Sequence, residues 1–318
     1  MSTLGVLRLD TVPASRVAAA SRGALDRQLA HEGELLLATL GDEAVVLGAL
    51  QRASELGSVD DGTRTLLRRG SCGAEAVVGA GTLWMQLALE RSDALVRCEP
   101  SRLLNRYVRP LLRALTKAGA LAHYFDRDWI SAGRRPVAMV AFAHDIGSGR
   151  SLVEAVIAVR TPFALRDRAS YLGKPPATLE DVGAAVELGH LGDAVVEAYG
   201  AAYGREFVEM ADFTGDGERA DTADADLRAE PPWAATREEA IGIVAAGRDR
   251  DGMMRLGGEL MVSRDAVKGL ESRLAHHEDI GAAVDATLGA QDVALVGVRS
   301  LTSVRDVLVE AGSVEAAL

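Results

Sequence analysis

The sequence predicts an α+β protein: a mixed β-sheet with packed helices, followed by a smaller C-terminal α/β unit. Three observations lead there. Apolar runs of strand length, bounded by glycine, aspartate and proline, recur from Leu4 to Val159. Two longer segments, about 101–118 and 179–203, read as helices. A stretch from Glu209 to Glu230 sets eight acidic residues against two arginines and ends in Pro231-Pro232, the composition of a linker. These features divide the chain into 1–210, a linker over 211–235, and 236–318.

Taken in order, Leu4–Leu9 reads as a strand, and Pro13-Ala14-Ser15 opens a helix to about Ala30, with Val17, Leu25 and Leu29 on one face. Glu34–Leu40 and Ala44–Leu50 are apolar runs around Gly41-Asp42, which reads as a hairpin. Thr65–Leu67, Ala76–Val78 and Thr82–Leu89 are strands separated by a small-residue loop and a glycine turn. Ser101 is placed to cap a helix to about Ala118. Leu103, Leu104, Tyr107, Val108, Leu111, Leu112 and Leu115 form its apolar face, and Arg102, Arg106, Arg109, Arg113 and Lys117 the opposite one. Pro110 should kink it. Leu121–Phe125, Asp128–Ser131, Val137–Ala143 and Leu152–Val159 are strands, and Leu179 to about Tyr203 a helix. Beyond the linker, Ile241–Ala246 and Gly252–Met261 read as strands, Arg264–Ala275 and Ile280–Leu288 as helices, Val293–Val298 as a short strand or helix start, and Leu301–Glu310 as a last helix.

The bulk numbers narrow the function classes. The chain has 318 residues, 48% of them hydrophobic, which is ample for a core. A net charge of -11 argues against general binding to nucleic acid or an anionic membrane. No apolar run reaches the length of a membrane span, and the first residues carry no signal-peptide core. Two cysteines, Cys72 and Cys98, form no disulfide framework, which suits a cytoplasmic location. The only lysines are Lys117, Lys174 and Lys268.

The stretch around which the chain is organised runs from Arg64 to Leu83. Arg68-Arg69 leads into Gly70-Ser71-Cys72-Gly73-Ala74, then Glu75, and a second turn follows at Gly79-Ala80-Gly81. Glycines let a backbone approach a ligand closely. Such a loop can aim several N–H groups at an anion, and two guanidinium groups at its entrance add fixed positive charge. The plainer reading is a hairpin turn with two surface arginines.

Arg68–Ala74 resembles the Arg-Arg-x-Ser/Thr-Gly-Gly-Gly loop of lipoate–protein ligases, and Gly81 falls where that family has a further glycine. Glu43–Gln51 resembles the preceding strand, Ala24-Leu25-Asp26 a first-helix motif, and Tyr124–Ile130 with Gly133–Val137 the segment that carries the family's catalytic lysine. The resemblance covers about residues 1–210 and continues more weakly to the end. It places the chain beside the biotin/lipoate–protein ligase superfamily, nearest lipoate–protein ligase A with its accessory domain. It implies a class II synthetase-like sheet, ATP with magnesium as cofactor, lipoic or octanoic acid or its adenylate as ligand, and a lipoyl domain as acceptor.

These ligases join an acyl carboxylate to a protein lysine through acyl-AMP. Both steps bring negative charges together, so a compact bridging cation is valuable. In the family it is a lysine in Lys-x-x-Gly-x-Ala. Aligned on Gly133 and Ala141, its position holds Pro136; shifted by one residue it holds Arg135. Arg134 or Arg135 is then the catalytic candidate, although a guanidinium is a wide planar fork that keeps its proton. Met139 replaces the glycine, Cys72 and Ala74 replace two loop glycines, and Glu75 adds a carboxylate. The substrate-binding candidates are Arg68, Arg69, Gly70, Ser71, Cys72, Gly73, Ala74, Gly81 and Met139. Arg127 and Asp128 are the nucleotide candidates, with Asp126 beside them. Lys174 on its Pro175-Pro176 turn, Cys72 as a thioester nucleophile, His144-Asp145 and His276-His277 carry weaker signals. The departures imply altered or reduced adenylate chemistry, or a non-catalytic relative that binds lipoyl groups, lipoyl domains or a ligase partner. A third reading is a structural protein that kept only the fold.

Overall fold

The computed structural model describes residues 3–57, 62–162, 173–184, 186–212 and 224–315. Its first part runs β1 (Thr3–Val12), α1 (Ala14–Gly23), β2 (Gly33–Leu40), β3 (Ala44–Leu47), β4 (Thr65–Arg68), β5 (Ala76–Val78) and β6 (Thr82–Leu89). Then come α2 (Leu103–Lys117), β7 (Ala122–Tyr124), β8 (Trp129–Ala132), β9 (Arg135–His144), β10 (Ser151–Ala158), α3 (Leu188–Tyr203) and β11 (Glu206–Glu209). The remainder holds α4 (Asp224–Arg228), β12 (Ala235–Glu238), β13 (Ile243–Arg248), β14 (Met254–Gly258), β15 (Met261–Val262), α5 (Arg264–Ala275), α6 (Ile280–Leu288), β16 (Leu295–Val296) and α7 (Leu301–Glu315).

An eight-stranded mixed sheet in the order β11-β1-β2-β6-β10-β9-β8-β7 is the frame. Side chains alternate across it, so each strand serves two layers. On one face, Leu35, Leu37, Leu87, Val140 and Val153 pack under α2 and α3, with Tyr107 and Tyr199 fully buried between them. On the other, Leu36, Ala38, Trp84, Met139 and Val156 pack against α1 and a three-stranded sheet, β4-β3-β5. The two long helices share one face, and the short α1 joins the small sheet on the opposite face. A three-stranded antiparallel sheet, β12-β13-β14, forms a further core with α5, α6 and α7. The expected α+β architecture with a smaller C-terminal α/β unit is therefore present.

Four local expectations change. Gly41-Asp42 is not a hairpin: β2 has both edges taken by β1 and β6, so the turn carries the chain from the large sheet to β3 in the small one. Helix α1 stops at Gly23, after which the chain turns to bring Arg27 onto the buried Glu34. Ser101 lies in a 3-10 turn, Pro100–Arg102, that precedes α2. Helix α3 begins at Leu188. Residues before it are held as turns by the reciprocal Thr178–Asp181 bonds (2.9 Å each) and by Gly183 in the left-handed region. Part of the expected linker, 213–223, lies outside the described residues. The flanking β11 and α4 are ordered elements.

The C-terminal unit seats directly on the loop region. Gly258 N donates to Leu50 O at 2.9 Å, and Arg264 reaches Asp26 at 2.9 Å and Asp145 at 3.1 Å. Ile241 and Met261 enter the same core cluster as Cys72. No helix among the described residues is long and apolar enough to cross a membrane.

Candidate active site

Strand β4 ends at Arg68 and the backbone stays extended through Arg69, whose N–H donates to Leu47 O at 3.0 Å, so alternation sends the two arginines apart. Arg68 turns to a cleft of about 500 Å³ at the junction with the C-terminal unit, where it meets Glu230 at 2.7 Å and Gln51 O at 2.6 Å. Arg69 turns inward and is buried. Its guanidinium holds its own loop: Nε donates to Ser71 Oγ at 2.8 Å, and Nη2 to Cys72 O at 2.8 Å and Ala74 O at 2.6 Å. The carbonyls of the glycine-poor loop thus converge on one cation.

The loop is seated tightly on α1. A side chain at Gly70 would meet Ser21 O at 2.2 Å, while Gly70 N donates to Ser21 Oγ at 2.7 Å. Gly73 takes a positive φ of 85°, a conformation that glycine adopts without a side-chain clash. Behind the loop lies a buried carboxylate that the sequence reading passed over. Glu154 on β10 accepts from Ser21 Oγ at 2.9 Å, from Ser71 N at 3.3 Å and from Trp84 Nε1 at 3.0 Å. Burial pushes its carboxyl pKa up, and the Arg69 guanidinium pulls it back down. Burial likewise lowers the pKa of Arg69, yet an arginine keeps its proton. Glu75 is fully buried and is fixed by Gln51 Nε2 at 2.8 Å, whose own Oε1 accepts from Gly48 N at 2.9 Å. The available signal for Glu154 was its standing as the only charge in an otherwise apolar strand.

The segment expected to carry the cation is the β8–β9 hairpin. Gly133 and Arg134 both have positive φ, 54° and 64°, so they form its turn, and Arg134 is exposed there. Arg135 turns to the neighbouring segment, with Nη2 donating to Pro176 O at 2.6 Å and Nε to Pro175 O at 3.3 Å. Pro136 O accepts from Ala177 N at 2.8 Å. Met139 is buried in the layer between the two sheets, in the cluster that contains Ala74, Trp84 and Trp129. Its cross-strand partner is Trp129, over which Lys174 Nζ lies at 5.4 Å from the ring centre.

The other candidates scatter. Gly81 (φ 88°) sits at the β5–β6 turn, where a side chain would meet Arg160. Arg127 is half-buried and donates to Ala240 O at 2.8 Å, which links the hairpin to the C-terminal unit. Asp128 is enclosed, and its backbone carbonyl accepts from Val140 N at 2.7 Å. Cys72 is buried, its Sγ 3.6 Å from Val262 O, and burial raises its thiol pKa. His144 is buried against Ser151 Oγ at 2.9 Å, while Asp145 pairs with Arg264. His276 and His277 end α5 in the C-terminal unit. No group of three metal-ligating side chains occurs among the described residues.

The sequence matches no family model and no curated protein. Solved structures do match. The P. falciparum protein LipL1 in complex with lipoate superposes with a TM-score of 0.61 over 96% of this chain and 98% of its own, at 12% identity. The chain has the fold of the lipoate–protein ligases. A lipoate–protein ligase A bound with ATP aligns at a TM-score of 0.55 and 17% identity, covering 72% of this chain and 93% of that one. A chain from the bi-partite lipoate protein ligase system of Thermoplasma acidophilum aligns at 0.54 and 16%, covering 72% and 91%. Within the lipoate–protein ligase fold, the Arg68–Ala74 loop and the β8–β9 hairpin both border the layer between the two sheets.

Proposed function

We propose that the protein acts in protein lipoylation, as a lipoate- or octanoate-handling relative of the lipoate–protein ligases with altered adenylate chemistry. The observation that carries this reading is the loop Gly70–Ala74, set by Arg69 and Glu154 against the strand that carries Met139 and Ala141; Gly73 packs toward Ala141. The fold supports it, since neighbours at low identity bind lipoate or ATP.

In this reading the acyl chain lies in the apolar layer between the sheets, and Met139 shortens the room available to it. Ser71 N and Gly70 N already bond to Glu154 and Ser21, so the loop brings fewer free N–H groups to an anion than a three-glycine loop. Arg127 is the nucleotide candidate in this reading: it is half-buried and commits one N–H to Ala240 O, which leaves the rest of its guanidinium for phosphate oxygens, while the enclosed Asp128 carboxylate adds no positive charge there. When bound, ATP would supply the leaving group that activates the carboxylate. Arg127 would hold its phosphates.

A second reading, a non-catalytic binder of lipoyl groups, lipoyl domains or a ligase partner, is favoured by one observation. Arg69, the inward-facing arginine, spends its guanidinium inside the protein, on Ser71, Cys72 and Ala74 of its own loop and on Val46 O of β3 at 3.4 Å. Pyrophosphate release with lipoate, octanoate and biotin in turn, followed by acyl transfer to a purified apo-lipoyl domain, separates the two. Turnover with lipoate or octanoate, lost in a folded Arg69→Ala control, supports the first. Saturable acyl binding without pyrophosphate release supports the second. Neither binding nor release with any of the three acids overturns both.

A further inference from the structure

Where the resemblance puts the ligases' lysine this chain has Pro136 or Arg135, yet a lysine stands beside them. We propose that Lys174, reaching in from the neighbouring segment, is the compact cation that receives the oxyanion of the acyl ligand in this protein. The inference rests on the acyl-handling reading above and names a residue of that site.

Four observations converge. Of the three lysines, Lys117 is on the exposed face of α2, paired with Glu197 at 2.6 Å, and Lys268 belongs to α5 in the C-terminal unit. Lys174 alone lies against the hairpin. Its placement is built by the first residues of β9: Arg135 grips the carbonyls of Pro175 and Pro176, and Pro136 O accepts from Ala177 N. Three hydrogen bonds therefore pin the segment that carries Lys174 to the start of β9. The two prolines stiffen it further, because each fixes its own φ.

The ammonium lies 5.4 Å from the centre of the Trp129 ring, within the range in which a ring face attracts a cation. Trp129 pairs across the sheet with Met139, so the cation stands at the edge of the layer assigned to the acyl chain. Lys174 itself is half-exposed, with no carboxylate partner among its contacts in the described residues. Finally, Trp129 is 3% exposed and its indole Nε1–H has no hydrogen-bond partner among the described residues. A buried donor left unbonded costs free energy, and native proteins rarely tolerate one. An acid bound beside Lys174 would give that N–H an acceptor.

A flexible four-carbon stem with three donors suits this role better than either neighbouring arginine. Arg135 is occupied in holding the segment, and Arg134 points out at the turn. The oxyanion could be a free carboxylate or the phosphate of an acyl-adenylate, and the ligands in the test distinguish them.

The test is calorimetric titration of the full chain with octanoate, octanoyl-AMP and AMP, for the wild type, Lys174→Gln, Lys174→Arg and Trp129→Phe. Lys174 is half-exposed, so its variants are expected to fold, and thermal unfolding checks this. Loss of a charge-assisted bond to the ligand is expected to weaken octanoate binding about 10- to 100-fold in Lys174→Gln, with partial recovery in Lys174→Arg. Loss with octanoate assigns the carboxylate as the partner; loss confined to octanoyl-AMP and AMP assigns the phosphate. Trp129→Phe, which keeps the ring and removes the donor, is expected to weaken the same ligand less. Equal affinities of wild type and Lys174→Gln for all three ligands overturn the role of Lys174 and leave the acyl-handling reading standing. If the wild type binds none of them, both fall.

Discussion

Replacing Arg69 tests whether the loop is held from within. In Arg69→Met a chain of similar bulk stays, but the guanidinium goes. Three bonds of 2.6–2.8 Å are lost, to Ser71 Oγ, Cys72 O and Ala74 O. Two of these acceptors are main-chain carbonyls in a loop buried on both sides. The change also leaves Glu154 and Glu75, both buried, without the cation that offsets them. Hydrogen bonds to a charged group contribute roughly 1.5–3 kcal/mol each, but they share one donor group and do not add. Removing one partner of a buried charge cluster costs about 3–5 kcal/mol, and that is the expected loss for Arg69→Met. Arg69→Lys keeps a charge but cannot fork to three acceptors, so an intermediate loss is expected. Equilibrium urea unfolding followed by tryptophan fluorescence measures it, since Trp84 donates to Glu154 in the same network. A loss below about 1 kcal/mol, the scale of an exposed ion pair, would refute the claim that Arg69 organises the loop.

Three further outcomes are expected. Met139→Gly should cost about 2–5 kcal/mol as a large-to-small core change while tightening octanoate binding by calorimetry; unchanged affinity would place the acyl chain elsewhere. Burial lowers the pKa of His144, so the unfolded chain takes up its proton first. Stability is then complete above the ordinary histidine pKa and declines as pH falls below about 6.5, by up to about 1.4 kcal/mol per pH unit. His144→Gln should flatten that slope in urea unfolding at pH 7.5, 6.0 and 5.0, and a slope identical to the wild type would assign the loss to other groups. Cys72 and Cys98 are buried, with Cys98 pushed up to about 11 and Cys72 also raised. Iodoacetamide at pH 8 should label both only on unfolding; rapid native labelling of Cys72 by mass spectrometry would revive a thioester role.

Where local pattern decides structure, the sequence was sufficient. The helices Arg264–Ala275 and Ile280–Leu288 match to the residue, the second capped by Asp279, whose side chain accepts from Ala282 N. The strands around the central loop were legible for the same reason: short apolar runs between glycines leave few alternatives. Gly41-Asp42 misled because a tight turn fixes a change of direction and not the sheet that the next strand joins. The occupied edges of β2 made that choice. At the site, the residue types were legible and their partners were not. Arg68-Arg69 read as a pair of ligand-facing cations, whereas alternation and the packing of the C-terminal unit sent one to Glu230 and the other to its own loop. Glu154 and Ser21 meet only through the folded layers, and Lys174 reaches Trp129 only because Arg135 holds the intervening prolines.

The most direct test of the account is a crystal structure of the protein grown with octanoate. The expected result is an acyl chain in the layer between the two sheets beside Met139 and Trp129, with its carboxylate within hydrogen-bond reach of Lys174. An octanoate bound on the outer face, or a layer at Met139 filled by side chains alone under saturating ligand, would contradict it.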